Sequence, residues 1–350
     1  MSIRSVWGGV RGALTPSVII TFFCTAVVFG IIGWFIPSPV EVSKYIGGVL
    51  LQSSNYNNYK YIDPLLTCEI GGEDAFDDLR PFKAALADVI DQAVDKGEAE
   101  RVSVYFRFLK SAHWFSINPE QTYAPASLLK IFVMMAYYKE SRDLNNPNLL
   151  NQQVLFKASP NPAKDDNPGA VIPHLANDQL YTINDVIKQM IVYSDNDALN
   201  TLVDNFDQLT TQNLSEIFSD LQISSPLTDE SSYFMSVDQY ARVFRVLFNS
   251  TYLSRRLSEQ ALGMLADAQF KLGLVAGVPP ETSVAHKFGV ASLPATATTP
   301  ASAELHDCGV VYYPGNPYVL CVMTKGSDFS MLADVIRKIS AEAYTQVGKL

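Results

Sequence analysis

Residues 124–138 read APASLLKIFVMMAYY, and the fold turns on how this stretch is read. From Leu128 to Tyr138 almost every residue is apolar, leaving no polar stripe for solvent. Such a helix runs through the middle of a domain rather than along its surface. One residue breaks the pattern. Lys130 puts an ammonium group into apolar surroundings, which is costly unless the charge has a partner or a task. Ser127 stands three residues earlier, on the same helical face and within reach.

On the N-terminal side of this helix, Phe82, Leu86, Val89, Ile90 and Ala93 recur at helical spacing up to Gly97. Val102, Val104, Phe106 and Phe108 then alternate as a strand, with HWFSI (113–117) as its hairpin partner. On the C-terminal side, residues 158–179 form a Pro/Asn/Asp loop. The helical pattern resumes at YTINDVIKQMIVYSDN (181–196), where Thr182 and Asp185 make a capping-box pair. Further helices are predicted around 197–206, 236–248 and 258–268, then a strand at 283–292, a hairpin over 307–324 and a terminal helix carrying Leu332, Val335, Ile336 and Ile339. Strands and helices at both ends with helices between them predict an α/β (α+β) fold, an antiparallel sheet flanked by helices with an inserted all-helical subdomain.

The chain has 350 residues, 48% hydrophobic and 18% charged, ample for one large core and incompatible with disorder. Its net charge is −10, and Arg4 and Arg11 are the only charges before Glu41, so the body is acidic and nucleic acid is excluded as a partner. Residues 18–36 are uncharged and mostly Ile, Val and Phe; at 1.5 Å per residue they reach about 28 Å, one hydrocarbon core. The expected organisation is a cytoplasmic N-terminus (1–16), a transmembrane anchor (17–37), a polar Asn/Tyr-rich stalk (38–77) and a body (78–350) outside the cell membrane, by the positive-inside rule. A cleaved signal peptide is the alternative, but GWFIPSPVEV offers no small-x-small cleavage site. Cys308 and Cys321 flank a turn-like PGNP. A simple hairpin sets them opposite one another, either as a cross-strand disulfide or as two small buried hydrophobes.

A Ser hydroxyl is a poor nucleophile until a base takes its proton, and a desolvated Lys can be that base. At a helix N-terminus the backbone N–H groups also favour an oxyanion. A Lys whose ammonium snorkels to solvent remains the other reading of Lys130. No G-x-S-x-G elbow occurs, and His113, His174, His286 and His306 show no metal-ligand spacing, so neither a metal nor a cofactor is expected.

Three short patterns follow in order: Ser127-Leu-Leu-Lys130, Ser194-Asp195-Asn196 and Lys287-Phe288-Gly289. With their flanking segments, they make the chain resemble the penicillin-recognising serine hydrolases, in particular the class A β-lactamase-like catalytic domain, over about residues 78–345. The resemblance implies a β-lactamase/transpeptidase-like fold and a serine acyl-hydrolase, which the expected anchor would hold at the membrane. It also implies roles. Ser127 attacks a carbonyl, Lys130 assists its deprotonation, and Ser194 relays a proton to the leaving nitrogen. Asn196 binds the substrate amide, Lys287 faces Ser194 and a substrate carboxylate, and the N–H groups of Ser127 and Val290, the latter beside Gly289, form the oxyanion hole. Asp195 holds its own loop.

The chain departs from that family twice. Phe288 replaces a Thr or Ser, removing a hydrogen bond to a substrate carboxylate, typically worth about 1.5–3 kcal/mol. The segment LSEIFSDLQISSPLTDESSYFMS (214–236) contains no E-x-x-L-N motif, so the deacylating Glu of class A enzymes has no clear counterpart; Glu230 is the candidate acid, with Asp229 beside it. The expected substrate is a β-lactam or a D-alanyl peptide of peptidoglycan, with slow deacylation. The competing expectation is a catalytically idle binding or scaffold domain at the cell surface.

Overall fold

The computed structural model describes residues 59–63, 77–142, 146, 148–159, 173–206, 214–223, 235–293, 295 and 301–350, together with a two-residue antiparallel pairing of Tyr45–Ile46 with Val49–Leu50. The chain divides into two units, Met1–Lys44 and Tyr45–Leu350, and all described residues belong to the second. The expected anchor at 17–37 lies outside the described residues. Among the described residues no helix is long and apolar enough to cross a membrane.

The body is built on a five-stranded antiparallel sheet of β1 (Arg101–Phe108), β2 (Trp114–Ile117), β5 (Val284–Leu293), β6 (Ser302–Val311) and β7 (Tyr318–Gly326), ordered β2-β1-β7-β6-β5. Both ends of the chain contribute. Alternate residues of β1 face opposite ways: Val102, Val104, Phe106 and Phe108 meet α1 (Arg80–Asp95) and α8 (Phe329–Val347) in one apolar cluster, while Tyr105 joins the other. Helix α1 buries Phe82, Leu86, Ile90 and Ala93 as its spacing predicts, and Gly97 follows its end with φ of +71°.

The second cluster lies on the opposite face, around α2 (Lys130–Arg142). Every residue from Lys130 to Tyr138 is buried, as the unstriped sequence requires. Around it stand α3 (Ile183–Val192), α4 (Asn196–Asp204), α5 (Leu214–Asp220), α6 (Val237–Phe248) and α7 (Arg255–Ala266). Thr182 caps α3 by accepting from the N–H of Asp185, and Ser236 with Gln239 forms a capping box on α6.

Three features differ from the sequence reading. The inserted region is not all-helical: β3 (Gln153–Phe156) pairs antiparallel with β4 (Gln179–Thr182). Val154 and Phe156 point into the core and Leu155 out, a period of two too short to stand out beside the Pro-rich loop. Leu214–Asp220, for which the sequence reading names no element, is helix α5, with Ile217 and Phe218 buried. Residues 60–63, placed in a polar stalk, dock on the body: Glu259 accepts the N–H groups of Lys60, Tyr61 and Ile62 at 2.8, 2.8 and 3.1 Å, and the Asp63 N–H donates to the Phe248 carbonyl. Cys308 faces Cys321 across β6 and β7, and the two form a disulfide.

Candidate active site

The geometry begins at a turn. Pro125 leads into a 3₁₀ turn, Ala126–Leu129, which continues directly into α2. In a 3₁₀ turn residues i and i+3 eclipse, so Ser127 and Lys130 project along one edge. Ala126 has φ of +47°, a left-handed conformation that costs an L-residue about 1–2 kcal/mol. Strain of this size persists only where the surroundings over-determine the backbone. Here the Leu128 N–H bonds the Pro125 carbonyl, Tyr240 donates its hydroxyl to the Leu128 carbonyl, and Tyr123 exchanges two backbone hydrogen bonds with Met235.

A second turn meets the first. Ser194 also has a positive φ, +60°, at the break between α3 and α4. Asp195 caps α4 through the N–H groups of Asp197 and Ala198, at 2.8 and 3.0 Å, and its other oxygen accepts from Gln189. Asp195 thus holds its loop. The same break turns Ser194 and Asn196 toward Lys130, whose Nζ donates to the Ser194 carbonyl, to Ser194 Oγ at 3.2 Å and to Asn196 Oδ1 at 2.6 Å. Lys130 is 1% exposed, so its ammonium does not snorkel; polar groups brought from another helix meet it inside the protein.

Strand β5 supplies the third wall. Lys287 is fully buried and donates to Ser194 Oγ and to the Phe288 carbonyl, both at 2.9 Å. Burial first, and the neighbouring Lys130 second, hold its pKa well below 10.5, while Asp307 acts in the opposite sense. Ser194 Oγ therefore lies between two lysines. A hydroxyl accepts through two lone pairs and donates one hydrogen; with both acceptor positions used by Lys130 and Lys287, that hydrogen is directed elsewhere.

Gly289 is what allows β5 to approach. A Cβ there would fall 2.7 Å from the Pro125 carbonyl oxygen, 3.0 Å from Leu128 Cγ and 3.2 Å from Leu128 N. No side chain fits, and the strand lies directly against the Ser127 turn. Val290 follows, paired with Leu305 on β6. Phe288 packs in the apolar cluster on the α1/α8 face, its ring stacked on Phe270 with centroids 4.2 Å apart.

The structure thus brings together Ser127, Lys130, Ser194, Asn196, Lys287, Gly289 and Val290, and Glu230 and Asp229 lie outside the described residues. Of the histidines, His113 and His174 are at the surface beside Asp78 and Asp195, whereas His286 and His306 are wholly buried and hydrogen-bonded. Among the described residues no cluster of His, Cys, Asp and Glu could hold a metal ion. Sequence reading overlooks the polar groups beneath the Ser127 turn. Glu304 and His306 on β6 contact the two ends of Ala124, and only their two-residue spacing within an apolar strand could have signalled a shared face.

Residues 81–347 match the family described as "Beta-lactamase enzyme family". Among solved structures, PBP-A aligns with a TM-score of 0.60 at 20% identity, over 76% of this chain and 97% of that one. A second PBP-A structure, a point mutant in an acyl-enzyme complex with penicillin G, aligns at 0.59 and 20% identity over 77% and 97%. A class A beta-lactamase from Bacteroides cellulosilyticus DSM 14838 aligns at 0.62 and 17% identity, over 77% and 99%. At these identities the likeness is one of fold. No curated protein matches the sequence.

Proposed function

The chain belongs to the beta-lactamase enzyme family, and from that premise we propose that it is a serine acyl-hydrolase that forms an acyl-enzyme on Ser127 with β-lactams or D-alanyl peptides. What carries this reading is the convergence of Lys130 and Lys287 on Ser194 Oγ, beside the strained turn that holds Ser127.

The proposed chemistry follows from these positions. Lys130 must first release one of the three hydrogens it donates to Ser194 and Asn196; the amine so formed takes the Ser127 proton as Oγ bonds to the substrate carbonyl carbon. Negative charge developing on the carbonyl oxygen is met by the N–H groups of Ser127 and Val290, from the two backbones that Gly289 keeps close. The C–N bond then breaks. Ser194, whose hydrogen is left free to donate, passes a proton to the leaving nitrogen, and Lys130 replenishes it. Asn196 orients the substrate amide. Lys287 meets a substrate carboxylate, and that anion favours its charged form against the burial that lowers its pKa. The missing hydroxyl at Phe288 weakens the carboxylate contact, and the Phe288 ring, stacked on Phe270, lies beneath Lys287 Nζ at 4.2 Å. Water attack on the acyl-enzyme needs a base, for which Glu230 is the candidate.

The wider reading includes an anchor at 17–37 that holds the domain at 78–350 outside the cell membrane, facing peptidoglycan peptides. The test is time-resolved intact-mass spectrometry of the full chain with penicillin G, with Ser127→Ala as control. A persistent adduct on Ser127 is expected, marking a penicillin-binding, peptidase-like enzyme. A transient adduct with accumulating hydrolysed drug marks a β-lactamase. If neither penicillin G nor a D-alanyl-D-alanine peptide acylates Ser127, the hydrolase reading fails and the scaffold reading replaces it.

A further inference from the structure

We propose that Glu304 and His306, two wholly buried side chains of β6, are positioning residues for acylation: by gripping both polar ends of Ala124 they set the turn that presents Ser127. The proposal rests on the acyl-enzyme reading above and extends it to residues outside the three motifs.

Glu304 Oε2 accepts the Ala124 N–H at 2.9 Å. His306 Nε2 lies 3.0 Å from the Ala124 carbonyl oxygen, while its Nδ1 accepts the Thr324 N–H at 3.4 Å. That second contact assigns the ring hydrogen to Nε2, which therefore donates to Ala124. One residue, three before the nucleophile, is held at its donor and at its acceptor. The strand register places the grip. His306 is directly opposite Gly289 and Glu304 opposite Ala291, so both side chains stand beside the point where β5 touches the turn. They work against a real tendency to relax, since Ala126 is left-handed and carries a Cβ.

Stability does not account for the pair. A carboxylate buried in a sheet is expensive, and Glu304 Oε1 has no hydrogen-bond partner among the described residues, the Arg101 guanidinium standing 3.9 Å away. Apolar side chains would fill this layer, as Leu305 and Val310 do elsewhere on the strand. What the polar pair adds is the hold on Ala124.

The experiment compares Glu304→Gln, Glu304→Asp and His306→Leu in the full chain. Acylation by penicillin G is followed by intact mass, dissociation constants are measured in a Ser127→Ala background, and melting temperature is recorded for each. Glu304→Gln keeps an acceptor oxygen at the same reach, and its acylation rate is expected within about threefold of the wild type. Glu304→Asp keeps the charge but withdraws it by one methylene, and His306→Leu removes the donor. Each should slow acylation roughly ten- to a hundredfold with little change in dissociation constant, the signature of a displaced nucleophile. Where His306→Leu does not fold, the contrast between Gln and Asp at position 304 decides. Wild-type acylation in Glu304→Asp overturns the proposal, as does a loss confined to melting temperature. A wild-type chain that takes no adduct refutes the acyl-enzyme reading itself, and the positioning role with it.

Discussion

Replacing Gly289 with alanine adds one methyl group where two backbones meet. The new Cβ would stand 2.7 Å from the Pro125 carbonyl oxygen, and ordinary contact begins at 3.4 Å, so turn and strand must part by roughly 0.7 Å. The closest obstruction is the Pro125 carbonyl, with the Leu128 side chain and N–H behind it, so moving a side chain alone cannot relieve it. Overpacking of this kind costs about 1–3 kcal/mol of stability. The displacement also acts on chemistry, because the same two backbones carry Ser127 and Val290. A misplacement near 1 Å costs on the order of a hundredfold in rate, so Gly289→Ala should slow acylation by at least about tenfold. Stopped-flow or quenched mass spectrometry gives the rate, and denaturant melts give the stability. A variant that acylates at the wild-type rate with unchanged stability would refute the claim that the close approach of β5 forms the site.

Other consequences follow from the same contacts. Lys287 has a folded pKa well below its unfolded value of 10.5, mainly through burial, with Lys130 adding repulsion and Asp307 opposing it. Between those two values the unfolded chain holds a proton that the folded chain lacks. Stability therefore rises with pH through that window, by up to about 1.4 kcal/mol per unit. Lys287→Met should remove this slope, and urea melts at several alkaline pH values would reveal its persistence if the assignment is wrong. Replacing both Cys308 and Cys321 with alanine opens a cross-link of sequence separation 13 and should cost about 2–4 kcal/mol in denaturant melts; an unchanged midpoint would mean that the bond does not constrain the unfolded chain. Glu259→Ala strips the acceptor from three consecutive N–H groups, so hydrogen exchange at residues 60–62 should accelerate severalfold, and unaltered protection there would show that the segment is held by Tyr312 and Phe248 alone.

Phe288 shows how a residue legible in sequence can be misjudged in space. In the sequence it reads as a lost hydroxyl beside Lys287, a missing contact to a substrate carboxylate. In the fold its ring stacks on Phe270 in the apolar cluster beneath α8, and Lys287 Nζ lies over its face, 4.2 Å from the centroid. Lys130, by contrast, is legible from its surroundings. An ammonium among Ile, Phe, Val and Met needs partners, and Ser194 and Asn196 provide them.

The sequence by itself determined the elements that repeat: the period of α1, the alternation of β1, the unstriped apolar run of α2 and the ordered trio of short motifs, since each is a local pattern that a few neighbouring residues impose. It also placed Cys308 opposite Cys321, because a tight turn midway between them fixes the register. Tertiary structure alone decided the rest, including the bond between those two sulfurs. The short pairing of β3 with β4, the docking of residues 60–63 on Glu259, and the grip of Glu304 and His306 on Ala124 join residues as many as 199 positions apart. Such contacts leave no period in the chain, and they arise only when the packing of two apolar layers brings polar groups together with no water to satisfy them.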